Sequence, residues 1–298
     1  MALMTRAPDL LIVQGDTSSA LGAALAGFMA NVAVAHVEAG LRTHDSRQPW
    51  PEEEYRTAID AQADLLFAPT EHAAGNLARE RVRGSIHVTG NTGIDALLGT
   101  LAKLGPVSPK HCSRLRLLVT CHRRESWGDG LSEIASALIA LAQEEGTQIE
   151  MILHPNPHVS KRMSQLLCDV PNIALSHPCD HAELIDRMRN ADLILSDSGG
   201  IQEEAPTLGV PLLVLREKTE RPEGLVTGNM RLVGTSAENI LRETSSLLSD
   251  PILRARMARP AFPYGDGRAA PRIATLIKKW WGQAQESGIR LNSAHLRP

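Results

Sequence analysis

The sequence predicts an open α/β fold in which parallel strands alternate with helices. Short runs of Leu, Ile and Val alternate with longer amphipathic segments along most of the 298 residues. Most of the short runs are continuously apolar, which is typical of parallel strands covered by helices on both faces. Repeated strand–helix units of this kind imply right-handed crossovers and a doubly wound sheet.

The first part of the chain contains four predicted strands, which lie in apolar runs separated by amphipathic segments. The strands are Leu10–Gln14, Val32–Val37, Leu65–Ala68 and Ser85–Thr89. The amphipathic segments between them predict helices at Ser18–Met29, Glu53–Ala63 and Ala73–Glu80.

The second part contains six predicted strands, which is enough for a complete Rossmann-like domain. They are Leu115–Thr120, Ile149–His154, Asn172–Leu175, Asp192–Ser196, Pro211–Leu215 and Met230–Val233. Helices are predicted at Leu131–Glu144, Val159–Cys168, His181–Asn190, Ile201–Leu208 and Ala237–Leu248. A turn at Pro263–Gly267 precedes a last predicted helix, Arg268–Gln285.

A domain boundary is predicted near Leu104 to Arg114, where Gly105, Pro106 and Pro109 interrupt the pattern. The predicted domains are residues 1–104 and 110–262. The first of them contains only four strands, and its first strand starts almost at the chain terminus. We therefore expect the first domain to be incomplete and the second to be whole.

Composition argues against several classes of protein. The formal net charge is -3, so no broad field for polyanions is expected, and with 3% aromatic residues a base-stacking surface for nucleic acid is disfavoured. The four cysteines lack zinc-site spacing and are expected to be reduced thiols. No signal-peptide pattern or membrane-length apolar run is found, so we expect a cytoplasmic protein that does not contact a membrane.

Carboxylates follow the first two predicted strands, at the sheet edge where open α/β folds bind ligands. Asp16 could bind a ligand there or simply cap the following helix. Glu38 directly follows a buried strand, so we expect it to be partly desolvated, with a raised pKa. Glu52 and Arg56 are four residues apart on one helical face, either as a surface pair or as an ion pair lining a cleft.

The second predicted domain carries a candidate anion site at Asp197–Gly200, between a strand and a helix. Its two glycines allow close backbone approach, and a helix N-terminus favours a phosphate or diphosphate. Glu203 or Glu204 could reach past it to ribose hydroxyls. His122 and Arg123 add positive charge at the same edge. No dinucleotide-binding glycine motif or P-loop is present, which disfavours a dehydrogenase and excludes a P-loop NTPase.

These segments together resemble the non-hydrolysing UDP-N-acetylglucosamine 2-epimerases, over about residues 8 to 270. The similar motifs are "GDTSSALGAALA", "HVEAGLRT", "PWPEEEYR", "TGNTGIDAL", "CHRRES", "HPNP", "DSGGIQEEAPTLGVPLLVLREKTERPEGLVTGN" and "PYGDG". The resemblance implies a GT-B-like fold, in which two Rossmann-like domains face across a cleft. It also implies that the C-terminal helix, about residues 264–286, completes the first domain.

The resemblance further implies interconversion of UDP-GlcNAc and UDP-ManNAc through 2-acetamidoglucal, for surface polysaccharide. It assigns catalysis to Asp16, Glu38, Glu52, Arg56 and His122. It assigns substrate binding to Arg123, His154, Ser198, Gly199, Gly200, Glu204 and Arg221. No metal or other cofactor is expected. The expected partners are the UDP-sugar, as substrate and as allosteric activator, and a second copy of the chain in a homodimer.

Two departures from the family pattern leave alternatives open. The family's first strand, its "GTRPE"-like loop and a lysine-bearing helix are missing, so we expect the chain to lack the N-terminal part of the first domain. Leu184 stands where relatives usually carry an aromatic residue that supports the uracil. The alternatives are an inactive truncated epimerase that still binds UDP-sugar, and a GT-B glycosyltransferase.

Overall fold

The computed structural model describes residues 8–107, 114–121, 127 and 129–286. The chain forms two compact units, Met1–Asp95 with Tyr264–Pro298, and Ala96–Pro263. Each unit contains its own parallel sheet, with four strands in the first unit and six in the second. This confirms the predicted fold class, with the predicted number of strands in each sheet.

The first unit is a parallel sheet with the strand order β1-β2-β3-β4. Its strands are β1 (Leu10–Gln14), β2 (Ala33–Val37), β3 (Leu65–Ala68) and β4 (Ser85–Val88). Its helices are α1 (Ser18–Met29), α2 (Glu52–Asp60), α3 (Glu71–Glu80) and, near the other end of the chain, α12 (Ala269–Glu286). A further helix, α4 (Thr92–Leu101), begins in the first unit and ends in the second.

Apolar side chains cover the two central strands of the first sheet, β2 and β3, on both faces, as their continuous apolar runs predict. One cluster contains residues from β1, β2, β3, α1 and α3. The other contains Val37 of β2 and Leu65 and Phe67 of β3, packed against Ile273 and Trp280 of α12. The last helix therefore supplies part of the core of the first unit.

The second unit is a parallel sheet with the order β10-β9-β8-β5-β6-β7. Its strands are β5 (Leu115–Thr120), β6 (Thr147–Ile152), β7 (Ile173–Ser176), β8 (Leu193–Ser196), β9 (Leu212–Val214) and β10 (Met230–Leu232). Its helices are α5 (Asp129–Leu141), α6 (Pro157–Leu167), α7 (His181–Asn190), α8 (Gly199–Leu208), α9 (Glu223–Val226), α10 (Ala237–Ser249) and α11 (Pro251–Met257). The direction of winding reverses between β5 and β8, where open sheets bind ligands beyond the strand ends.

Three helices were not predicted, and each lacks a strong sequence signal. α4 contains Gly93 and Gly99, which weaken its helical pattern. α9 has 4 residues and α11 has 7, too few for a clear periodicity. The start of α8 also differs from the prediction, because the helix begins at Gly199 and not at Ile201.

Among the helices that the structure describes, none combines the length and apolar character needed to cross a membrane. Three of the four cysteines lie in the described ranges, and none of Cys121, Cys168 and Cys179 forms a disulfide bond. Cys112 lies outside them.

Candidate functional site

Asp16, which follows β1, is held by Arg56 of α2. Nη2 of Arg56 donates a hydrogen bond to Oδ2 of Asp16. The Arg56 side chain is 2% exposed and that of Asp16 is 28% exposed, so the carboxylate keeps access to solvent. Thr17 caps α1 by accepting a hydrogen bond from the Ala20 amide at 3.1 Å. Asp16 therefore has a partner in another element and is not the residue that caps α1.

Glu53 is the second acid that Arg56 contacts, at 3.2 Å from Nη1 to Oε2. The other carboxylate oxygen of Glu53 accepts the backbone amides of Thr43 and His44, both at 3.0 Å. The four-residue spacing singled out Glu52, which begins α2 and is partly exposed. Glu53 was not predicted as a partner of Arg56, although it lies three residues away on the same helix. Its contacts with the amides of Thr43 and His44 give no signal in the sequence of α2.

Glu38, directly after β2, lies beside the turn that carries Asp16. Its backbone is in the left-handed region, with φ at 72°, which is uncommon for a residue with a side chain. The amides of Glu38 and Ala39 both donate to the carbonyl of Phe67, at 3.1 Å each. A Cβ added to Gly15 would lie 3.6 Å from Oε2 of Glu38. The structure thus brings Glu38 next to the residue that precedes Asp16.

A fully buried histidine and aspartate lie beneath these two turns. Nδ1 of His36, in β2, is 2.6 Å from Oδ1 of Asp60 at the end of α2, and both side chains are 0% exposed. Nε2 of His36 is 2.9 Å from the carbonyl oxygen of Gly15. This pair was not predicted from the sequence, because 24 residues separate its members.

Arg42 extends the same buried network. Its Nη2 is 2.8 Å from Oδ2 of Asp60 and 2.7 Å from Oε2 of Glu80. The Gly40 amide donates to Oδ2 of Asp60 at 3.1 Å. Burial by itself would raise the pKa of the Asp60 carboxyl, but the hydrogen bonds and charges of His36 and Arg42 outweigh it and hold that pKa below its usual value.

The predicted anion site of the second unit lies at the start of α8. Ser198 precedes this helix, and Gly199 and Gly200 form its first turn, where backbone N–H groups have no partner within the helix. The Ser198 amide donates to Oγ of Ser196 at 3.0 Å, which fixes the entry to the turn. These amides and the helix dipole favour an anion.

Arg221 lies directly against this turn. A Cβ added to Gly199 would be 2.7 Å from Nη1 of Arg221, so only glycine leaves room for the guanidinium. Nε of Arg221 donates to Glu203 at 2.5 Å, and Nη1 donates to Glu220. Glu220 in turn pairs with Arg216 at 2.9 Å. A buried ionic network therefore supports the turn that carries Gly199.

Glu204 has a different partner from its neighbour Glu203. Its Oε1 is 2.7 Å from Nε2 of His181, the first residue of α7. Burial raises the pKa of Glu204, and the hydrogen bond and charge of His181 oppose that increase without cancelling it. The His181 side chain is 45% exposed. Glu204 was predicted as a site residue, whereas its partner His181 was not.

The remaining predicted residues are placed as follows. Nδ1 of His154, beyond β6, accepts the Asn156 amide at 2.8 Å, and its ring meets Trp127 edge-on with centroids 6.0 Å apart. Leu184 is partly buried against an apolar cluster of the second unit. His122 and Arg123 lie outside the described residues. The described part of the chain contains no group of three or more His, Cys, Asp or Glu that could hold a metal ion.

The two parallel sheets, of four and six strands, are those of the Rossmann-like domains of the GT-B-like class. A sequence profile described as UDP-N-acetylglucosamine 2-epimerase matches residues 1–278. The chain is 44% identical over 286 residues to the UDP-N-acetylglucosamine 2-epimerase of Salmonella typhimurium, covering 92% of this chain and 76% of the relative. The chain therefore belongs to the UDP-N-acetylglucosamine 2-epimerase family, a family of isomerases.

Solved structures agree with this assignment. The UDP-GlcNAc 2-epimerase of Neisseria meningitidis, bound to UDP-GlcNAc, is similar with a TM-score of 0.89 and 38% identity, covering 93% of this chain and 78% of that chain. The Methanocaldococcus jannaschii enzyme, in complex with UDP-GlcNAc and UDP, is similar with a TM-score of 0.83 and 32% identity, covering 93% and 78%.

Proposed function

We propose that this chain interconverts UDP-GlcNAc and UDP-ManNAc by inverting C2 of the sugar. The observation that carries the proposal is the pairing of Asp16 with Arg56 beside Glu38, at the carboxyl end of neighbouring strands. Two carboxylates on adjacent turns suit a reaction that must remove a proton from one face of a carbon and return one to the other. Membership of the epimerase family supports the same reaction.

The proposed reaction proceeds by elimination and re-addition. A carboxylate takes the C2 proton, the electrons of that bond form the C1–C2 double bond, and the C1–O bond breaks to release UDP. The intermediate is 2-acetamidoglucal. UDP oxygen then adds back to C1, and C2 receives a proton from the opposite face. The product is an isomer of the substrate with the same oxidation state at C1 and C2, so the reaction needs no redox partner.

We assign the proton transfers to Asp16, Glu38 and Glu52. Arg56 fixes the direction of the Asp16 carboxylate through the hydrogen bond from Nη2. The left-handed backbone of Glu38 supports this assignment, because strained residues cluster at functional sites. His122, as the resemblance implies, carries part of the charge of departing UDP.

The second unit would hold the nucleotide. Ser198, Gly199 and Gly200 offer backbone donors to the diphosphate at the start of α8, and Arg221 adds positive charge beside that turn. Glu204 would accept the ribose hydroxyls. We place Arg123 and His154 near the nucleotide or a regulatory UDP-sugar.

The proposed product supplies ManNAc-type sugars for surface polysaccharide. A homodimer and activation by UDP-GlcNAc stay predictions of the resemblance.

Proton NMR of UDP-GlcNAc in D2O with this 298-residue chain tests the proposal. Loss of the C2 proton signal together with formation of UDP-ManNAc is the expected result, and Asp16→Asn should slow both by a factor of about 100 or more. Sugar transfer to an added acceptor without C2 exchange would instead indicate a glycosyltransferase. UDP binding with neither reaction would indicate a binding protein without epimerase activity.

A further inference from the structure

We propose that His36 is a positioning residue, which as a doubly protonated imidazolium ties the turn of Asp16 to the turn of Glu38. The inference rests on the proposed function, because it concerns the two carboxylates assigned to proton transfer. His36 lies in β2, beneath both turns, and is fully buried. It does not contact the reacting carbon in this scheme and acts through the backbone that it holds.

The hydrogen-bond partners of His36 define where its protons lie. The Gly15 carbonyl oxygen, 2.9 Å from Nε2, can only accept, so Nε2 carries a proton. Asp60, 2.6 Å from Nδ1, also accepts when it is ionised. Its second oxygen already receives Gly40 N–H and Arg42, both of which stabilise the carboxylate. Both ring nitrogens of His36 therefore donate.

The charges of the network balance, which offsets the free-energy cost of burying an imidazolium in an apolar core. His36 and Arg42 are the cations, and Asp60 and Glu80 are the anions. In the sheet, the backbone neighbours of His36 are the apolar residues Val13 of β1 and Leu66 of β3. The paired acid Asp60 is thus the group that fixes the imidazole from the helical layer.

This network connects the two turns at the point where sheet pairing stops. The paired residues of β1 and β2 end with Gln14 and Val37. Beyond them, Gly15 N–H donates to the Val37 carbonyl at 3.1 Å, and both Gly15 and Glu38 adopt positive φ. His36 holds the Gly15 carbonyl, which belongs to the peptide unit leading into Asp16.

The same imidazole reaches the Glu38 turn through Asp60. Oδ2 of Asp60 accepts the amide of Gly40, two residues after Glu38, at 3.1 Å. Asn76 of α3 holds the Gly40 carbonyl from the other side, at 2.8 Å. A shift of His36 therefore changes the position of Gly15 and Gly40 together, and with them the separation of the two carboxylates.

Two amide substitutions test the two contacts of His36 one at a time. His36→Asn retains a donor near the position of Nδ1 and loses the contact to Gly15, whereas His36→Gln retains a donor near the position of Nε2 and loses the contact to Asp60. We expect His36→Asn to lower kcat for C2 proton exchange about 100-fold, since small misplacements of catalytic groups cost on that order. KM for UDP-GlcNAc should change less than about threefold, and His36→Gln should recover part of kcat.

His87→Asn is the matched control, because His87 lies in β4 of the same sheet, outside this network. It should retain the wild-type kcat. Folding of each variant is checked by circular dichroism, and rates are normalised to the folded fraction. Equal losses in all three variants, or unchanged kcat in both His36 variants, would overturn the positioning role.

Long-range 1H–15N correlation on the [15N]histidine-labelled wild-type chain tests the charge state without relying on activity. The His36 signal is assigned by its loss in His36→Asn, and a proton on each ring nitrogen is expected. One unprotonated nitrogen, with C2 exchange intact, overturns this inference alone. Absence of C2 exchange in the wild type defeats the proposed function and the positioning role with it.

Discussion

Arg56 donates to Asp16 across 40 residues of sequence, and the two side chains differ sharply in exposure. Arg56 is buried between Asp16 and Glu53, whereas the side chain of Asp16 is partly exposed to solvent. The pair therefore combines a buried cation that organises the site with an accessible acid that can react. This division predicts that substitutions at the two residues have different consequences.

Asp16→Asn should remove activity and leave the fold nearly unchanged. The amide cannot take the C2 proton, so C2 exchange should fall on the order of a hundredfold to ten-thousandfold. Arg56→Met should lower both activity and stability, because it leaves buried Glu53 without its cation, at a cost of about 3 kcal/mol or more. Urea unfolding and D2O exchange on both variants check this contrast. Equal destabilisation by the two substitutions would contradict it.

Gly40→Ala should strongly destabilise the first unit. Gly40 has φ at 85°, and an added Cβ would lie 2.3 Å from the carbonyl oxygen of Ala73. Left-handed strain and overpacking together should lower the free energy of unfolding by about 2 to 5 kcal/mol. Gly22→Ala is the control in α1, where an added Cβ meets nothing within 4 Å. It should stabilise by about 0.5 to 1 kcal/mol, and thermal unfolding of the two variants measures the difference.

Gly199→Ala should weaken nucleotide binding. The new Cβ would lie 2.7 Å from Nη1 and 2.9 Å from Cζ of Arg221, whose guanidinium is fixed by Glu203 and Glu220 and cannot simply swing away. Either the turn or the arginine must move, so we expect UDP affinity to fall about tenfold or more by titration calorimetry. Gly99→Ala, which meets nothing within 4 Å, should bind UDP like the wild type. Unchanged affinity in Gly199→Ala would contradict the assigned site.

Glu204 should make the stability of the second unit depend on pH. Its folded-state pKa lies above the ordinary 4.5, mainly because it is buried, so the folded state binds the proton more tightly than the unfolded state. The stability from that proton is present below 4.5 and is lost as pH rises through the folded-state pKa. Glu204→Gln, which can still accept from His181, should lack this loss.

Urea unfolding of wild type and Glu204→Gln between pH 4 and about pH 8 measures this effect. The stability of the variant relative to wild type should increase as pH rises. Glu183→Gln, which removes an exposed acid from α7, controls for the loss of one negative charge from the unit. A relative stability that falls with pH would show that the sign is wrong.

The fold could be predicted from sequence where one physical signal dominates. Strands of parallel sheets are mostly apolar runs, so β1, β3 and β5 were predicted with the bounds that the structure has. The last helix was predicted within one residue at each end, because a clear turn precedes it. Helix starts were less accurate. The first residues of α8 are glycines, which have low intrinsic helix propensity, so the predicted start came too late.

The candidate site was predictable only in part. Asp16 and Glu38 follow apolar strands, and this position marks them without further information. The residues that hold these and the other site residues in place come from distant parts of the sequence. The pairs that join Asp60 to His36, and Glu204 to His181, depend on which helix packs on which strand. Spacing along one helix cannot show such contacts. It allows both the i,i+3 pair of Glu53 with Arg56 and the i,i+4 pair of Glu52 with Arg56, and the prediction chose the second.

The contribution of α12 to the first unit also constrains how this protein can be made. The ribosome synthesises the whole of the second unit before the helix that covers Val37 and Phe67. Residues 96–263 form one continuous stretch and can fold as they emerge. The sheet of the first unit cannot complete its core until the last helix has been synthesised. A premature stop codon just before Ala269 would therefore leave the second unit complete and destabilise the first unit, which carries Asp16 and Glu38.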